Sequence, residues 1–312
     1  AGEWHNSYTC VPWMFTDSGW GLLLEDTERA IFDMRLDDQF EVSLWSNSMA
    51  LQLIEGPLPA DLITRATSVF GRMKSLPEWT QKGAIIRAHG GAEAVLEEVE
   101  EALSTGTPLA GIWIEDWCGL RETSLGSRMW WNWTVDRNLY PEWEALVEEL
   151  DAMGLATLAY LNPYLTDASN HSGAEENLFA EAQNQGFLVK NYDDSIFLMD
   201  QGGFDAALVD LSNPEAVAWL TEIVSDVVQT GVKGWMADFA EGLPLDVSLK
   251  NGTPNSWHNK WPEKWAEINQ NALSSEVGSD HLIFHRSGNQ FSPGKARAFW
   301  VGDQTVTWDK ND

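Results

Sequence analysis

From about residue 80 onward, short apolar runs alternate with segments whose apolar residues recur every three or four positions. Gly83–Ala88, Ala110–Trp117, Leu155–Leu161, Val232–Ala237, His281–His285 and Ala298–Gly302 read as buried strands. Ala92–Leu103 places Val95, Leu96, Val99 and Leu103 on one helical face. Pro141–Met153 does the same with Trp143, Leu146, Val147, Leu150 and Met153, and Gly154 ends it. Pro214–Val228 and Pro262–Leu273 complete the helices. Strands and helices in alternation predict a parallel sheet with helical crossovers. An open sheet of that kind usually carries G-x-G-x-x-G after its first strand, which this chain lacks. The α/β pattern is therefore read as a (β/α)8 TIM-type barrel, present through about its sixth strand. On that reading the chain is a fragment truncated at both ends, and made alone it is expected to fold poorly, with strand edges and apolar faces left uncovered.

Two stretches depart from this rhythm. Residues 165–210 form an excursion with its own short strands, in FLVK and SIFLM. Residues 8–56 instead show turn-bounded strands, VPWMFT, GLLLED, FEVSLW and MALQLIEG, which predict antiparallel structure from the end of a larger β-sandwich. Pro57 and Pro59 mark a boundary, assigning 1–58 to the sandwich and 59–312 to the barrel, with a partly helical stretch at 60–75.

Charge narrows the partners. With 19 basic against 48 acidic residues, net −29, nucleic acid and anionic membrane surfaces are excluded as expected partners, and an anionic substrate needs a local cationic pocket. No apolar run reaches membrane-spanning length and the first residues do not read as a signal peptide, so a cytoplasmic location is expected. Cys10 and Cys118 fit neither a disulfide framework nor a metal site, and no cofactor is expected. The 18 Trp exceed what packing needs, and they suggest a cleft that stacks sugar rings.

Candidate chemistry sits at strand ends. The fourth predicted strand delivers Asp238 and Glu241 in GWMADFAEGLP, and the sixth delivers Asp303 in WVGDQ. Read alone, Asp238 is equally an N-cap and Glu241 a solvated first-turn acid. Strands four and six of one barrel, however, bring their ends to one mouth, where Asp238 and Asp303 could flank a single bond as the two acids of a glycosidase do. One acid must be ionised and the other protonated, a division that mutual repulsion and desolvation by Trp300 and Trp308 would favour.

The motifs GWMADFAEGLP, WVGDQ, FHRSG and GIWIEDW together resemble glycoside hydrolase family 31, the retaining α-glycosidases, and VPWMFTDSGWGLLL is similar to that family's join between sandwich and barrel. The resemblance implies that Asp238 is the nucleophile, Asp303 the general acid and base, and Arg286 a sugar-subsite residue, with Asp116 and His258 as further candidates for that subsite. The stretch Glu115–Trp133, EDWCGLRETSLGSRMWWNW, resembles the family's sulfoquinovosidases, which cleave α-glycosides of 6-sulfoquinovose. That match implies that Arg128 and Trp131 hold the sulfonate and Glu115 the ring hydroxyls, so the expected partner is a small glycoside bearing a sulfonate. Chemistry agrees, because a guanidinium offers forked donors to a permanent anion and an indole adds an N–H and an apolar wall. The alternative pairs Arg128 with Glu122 or Asp136 and leaves the tryptophans as core. The family usually has Gln or Lys before the glycine pair after the first barrel strand. Here it is His89, and either His89 or Arg87 could take over that contact. A neutral-sugar α-glucosidase or α-xylosidase and a catalytically silent carbohydrate-binding protein remain the rival readings.

Overall fold

In the computed structural model, which describes residues 7–273, 280–300 and 302–303, six parallel strands lie side by side in chain order. They are Ala84–Ala88, Leu109–Ile114, Ala156–Leu161, Gly234–Ala237, Leu282–His285 and Ala298–Phe299. A doubly wound sheet reverses its strand order at a switch point, whereas this one never does, so the strands form consecutive staves of a barrel wall. Helices Ala92–Ser104, Trp143–Ala152, Pro214–Gln229 and Trp261–Asn271 fall between successive strands. The third helix starts where the sequence says it must: Asn213 accepts from the Glu215 N–H, and Pro214 occupies the first turn, where its missing donor costs nothing.

All six residues of the third strand are buried, as expected for a stave covered on both faces. The second strand ends at Ile114, short of the Trp117 expected from its apolar run, because Glu115–Cys118 turn away from the sheet. Several of the tryptophans belong to the core. Trp117, Trp143, Trp235, Trp261 and Trp265 are fully buried, and the N–H groups of Trp117 and Trp235 bond the Tyr160 carbonyl at 2.9 Å and Asn269 Oδ1 at 2.6 Å. Among the described residues, no helix is long and apolar enough to cross a membrane.

The antiparallel part holds Trp13–Phe15, Trp20–Leu24 and Leu51–Glu55 in one sheet, with Ala30–Asp33 paired to Glu41–Leu44 beside it. Helix Pro59–Phe70 lays Leu62, Ala66 and Phe70 against Leu23 and Ile54. Thr9–Cys10 then pairs in parallel with Gly288–Asn289, so this segment reaches the loop that follows strand five. In the excursion, FLVK makes only isolated bridges, and the expected second strand covers Leu198–Asp200, paired with Asp205–Leu208. Helix Leu178–Gln185, capped by Asn177, was not evident from periodicity. Nor was the hairpin Leu120–Thr123/Gly126–Met129, which rises from the second strand's loop.

Strand four has one position with no room. A Cβ on Gly234 would overlap the backbone carbonyl of Leu282 on strand five. Gly234→Ala is expected to force the two staves apart and cost more than about 3 kcal/mol, in the range reserved for disruptive core changes. Loss of soluble, protease-resistant protein against the parent would register it.

Candidate active site

Strand four ends at Ala237, and the Asp238 N–H continues the ladder by bonding the Leu161 carbonyl at 2.8 Å. Phe239 (φ 56°) and Ala240 (φ 78°) then both adopt left-handed backbone, which side chains with a Cβ disfavour by on the order of 1–3 kcal/mol each. Tertiary contacts hold the strain in place. Ser287 Oγ donates to the Phe239 carbonyl at 2.5 Å, and the Phe239 ring meets Trp131 and Tyr164 at centroid distances of 5.3 and 5.6 Å. The double left-handed turn sends the chain away from the sheet and leaves Asp238 at the strand end. No helix follows it directly, so Asp238 is not an N-cap.

Asp238 is buried and has two different oxygens. Oδ2 accepts a 2.5 Å hydrogen bond from the Tyr160 hydroxyl, while Oδ1 faces Arg286 Nη1 at 3.4 Å. Burial pushes the carboxyl pKa above its ordinary value, and Tyr160 and Arg286 act against that shift without cancelling it. Arg286 also binds Glu241 at 2.7 Å, so Glu241 is an ion-pair partner and not the solvated first-turn acid of the bland reading. The guanidinium lies between the rings of Tyr8 and Phe239, 4.6 and 4.5 Å from their centroids. Burial alone would weaken its charge, but Glu241, Asp238, Tyr8 and Asp303 hold its pKa above the usual arginine value. Asp303, exposed at the end of strand six, therefore lies in the field of the same guanidinium that contacts Asp238. Trp300 packs edge-on to Phe284, and Trp308 lies outside the described residues.

The remaining candidates divide. Glu115 forms an ion pair with Arg87, and both Arg87 and His89 are exposed at the end of strand one. Asp116 is committed to the fold: its oxygens accept from the Gly90 N–H at 2.8 Å and the Tyr140 hydroxyl at 2.6 Å, anchoring the turn after strand one. His258 bonds the Leu243 carbonyl through Nδ1 at 2.6 Å and lines a separate cavity of about 700 Å³ beside Cys10, Arg29 and Trp45.

Arg128 pairs with neither Glu122 nor Asp136. Glu122 accepts from Ser127, and Asp136 from His171 and the N–H groups of Asn138 and Leu139. The Arg128 guanidinium bonds only the Ser127 carbonyl, at 3.0 Å, and has no carboxylate partner among the described residues. Directly across the hairpin stands Arg121, a residue that sequence reasoning passed over. Its guanidinium lies 3.8 Å from the centroid of Trp130 and 4.1 Å from that of Phe204, and desolvation brings its pKa down to about 10. It donates to Thr166 Oγ1 at 2.9 Å, and the Thr166 N–H in turn holds the Trp131 carbonyl at 2.8 Å. Two like charges face to face on a hairpin are unfavourable without a compensating anion or aromatic face. Here Arg121 takes the aromatic faces. Trp131, buried against Tyr164, Phe204 and Phe239, joins this hairpin to the Asp238 loop.

Comparison with known proteins places this geometry. Residues 74–311 match the model described as the glycosyl hydrolases family 31 TIM-barrel domain. A sulfoquinovosidase of Agrobacterium fabrum is 33% identical over 315 aligned positions, covering 100% of this chain and 46% of that protein. One from Escherichia coli is 34% identical, covering 90% of this chain and 41% of its own length. Among solved structures, a GH31 family sulfoquinovosidase from E. rectale in complex with an aza-sugar inhibitor superposes with a TM-score of 0.92 at 34% identity, over 100% of this chain and 46% of that one. The chain thus spans a little under half the length of these relatives.

Proposed function

The chain belongs to glycosyl hydrolase family 31, and from that premise we propose that it is the greater part of the catalytic barrel of a retaining exo-α-glycosidase acting on α-sulfoquinovosides, such as sulfoquinovosyl glycerol or sulfoquinovosyl diacylglycerol. The supporting observation is the buried Asp238 at the end of strand four, with Asp303 at the end of strand six in the field of the shared Arg286. In this reading Asp238 attacks the anomeric carbon as a carboxylate. Asp303 gives its proton to the departing glycosidic oxygen and then takes one from the water that cleaves the ester. Retention follows from the two successive displacements.

Arg286 and Glu241 form the floor. The ion pair keeps Arg286 charged and fixed, and the guanidinium keeps Asp238 ionised for attack. Substrate choice is assigned to the hairpin: Arg128, which has no carboxylate partner among the described residues, and Trp131 hold the sulfonate, while Glu115 with Arg87 meets ring hydroxyls.

Two measurements on the complete protein test this reading. NMR of the first sugar released from a 4-nitrophenyl α-sulfoquinovoside should show the α-anomer, and a β-anomer would remove the nucleophile assignment. In a substrate-bound structure, the carboxyl oxygens of Asp238 and Asp303 should lie about 5–6 Å apart, and a gap near 9 Å would instead signal inversion.

A further inference from the structure

Three strand-end side chains on one face, Tyr160, Asn162 and Tyr164, alternate along the chain into the third strand's loop, and the first of them touches Asp238. The phenol is buried. Asn162 Nδ2 donates to its oxygen at 3.2 Å, and the Trp117 indole bonds the Tyr160 carbonyl at 2.9 Å. Pairing of Leu161 with Ala237, continued by the Asp238 N–H to the Leu161 carbonyl, fixes the register that brings the hydroxyl to Oδ2. Burial, followed by the charge of Asp238, holds the phenol's pKa well above its ordinary value, so the phenol stays a proton donor throughout the working range.

This geometry makes the two carboxyl oxygens unequal. Oδ2 is engaged by a short O–H···O bond from Tyr160. Oδ1 faces Arg286 in a longer contact. Resting on the glycosidase reading above, we propose that Tyr160 is the positioning residue that divides the work between them: Oδ1 bonds the anomeric carbon and Oδ2 remains as the ester carbonyl. In the first displacement a lone pair on Oδ1 forms the new C–O bond, while the glycosidic oxygen leaves with the electron pair of the broken bond and takes a proton from Asp303. The negative charge leaves Asp238. Tyr160 then donates to a neutral carbonyl, a weaker acceptor than a carboxylate. When water displaces Asp238 from the sugar the charge returns, and the bond to Tyr160 strengthens as the carboxylate departs. Tyr160 therefore helps the second step more than the first, and it steadies the leaving carboxylate.

The consequence is a split between kinetic parameters. With 4-nitrophenyl α-sulfoquinovoside, whose aglycone leaves readily, kcat reports the second step and kcat/KM the first. In the complete enzyme, Tyr160→Phe should lower kcat about 10- to 100-fold, the scale of a hydrogen bond to a charged group. KM should fall with it, kcat/KM should change little, and a burst of one equivalent of nitrophenol should appear. The acid limb of kcat/KM should also move to higher pH. The other charged groups near Asp238 (Arg286, with Glu241 behind it and Asp303 beyond) are retained in the variant, so the shift reads the loss of the phenol alone. Equal losses in kcat and kcat/KM with an unmoved acid limb would overturn the proposal. If Tyr160→Phe does not fold, 3-fluorotyrosine at position 160 keeps the ring and strengthens the donor, and the acid limb should then move to lower pH; no movement would overturn the proposal equally. Failure of the underlying function looks different: the parent enzyme would be inactive on both the sulfoquinovoside and the matching α-glucoside, or Asp238→Ala would retain activity.

Discussion

Asp238→Ala in the complete enzyme is expected to lower kcat/KM on an α-sulfoquinovoside by about 10⁵-fold or more, the scale seen when a covalent nucleophile is removed. The carboxylate cannot be replaced by a neighbour. Glu241 is held by Arg286 at 2.7 Å, and on the proposed reading Asp303 acts on the leaving group and not on the anomeric carbon. Asp303→Ala should behave differently. It removes a proton donor, so an alkyl glycoside should lose about 10²- to 10⁴-fold, the usual share of general acid catalysis. A 4-nitrophenyl glycoside needs no proton to leave and should recover much of the first step, with the ester then accumulating for want of a base. Equal losses on both aglycones would remove Asp303 from the acid role. The pH dependence has a fixed sign. Burial raises the pKa of Asp238, and the group must be ionised to attack, so activity falls as pH drops through that raised value. Any variant that removes a stabiliser of the carboxylate, Arg286 included, should move that fall upward in pH.

The barrel was legible because burial on both faces writes itself as short apolar runs. Strand three, buried at every position, came within one residue of its expected start. Strand ends were less legible: the expected strand ran past Glu115 and Asp116 to Trp117, because Trp117 and Cys118 are buried from a turn that follows the sheet. The carboxylates were visible as polar residues after apolar runs, but their partners were not. Tyr160 sits inside an apolar stretch and reads as one more core aromatic; only the alternation Tyr160, Asn162, Tyr164 hinted at a polar face. Arg121 was passed over because its aromatic partner Phe204 lies far along the chain, in the excursion. The tryptophan count could not divide the residues by role, since indoles filling a barrel wall have the same composition as indoles lining a sugar cleft. The hydrogen bonds that Asp116 and His258 make likewise depend on three-dimensional neighbours, Tyr140 and Leu243.

Arg128→Met should separate sulfonated from neutral substrates. Arg128 has no internal carboxylate among the described residues, so its charge is available to a ligand. Losing one member of a partly desolvated charge pair costs on the order of 2–5 kcal/mol. At about 1.4 kcal/mol per tenfold, kcat/KM on an α-sulfoquinovoside should fall roughly 30- to 3,000-fold. On the matching α-glucoside any trace activity should hold level or rise, because a 6-hydroxyl has no use for the cation. Trp131→Phe keeps most of the wall and drops the N–H donor, so its penalty should be smaller, about 1–2 kcal/mol, and again confined to the sulfonated substrate. Arg121 supplies the control. Its guanidinium is occupied by Trp130, Phe204 and Thr166, so Arg121→Met should loosen the hairpin and weaken both substrates together. Equal losses on both substrates for Arg128→Met would mean that Arg128, like Arg121, shapes the hairpin without reading the sulfonate, and the neutral α-glucosidase reading would then be the better one.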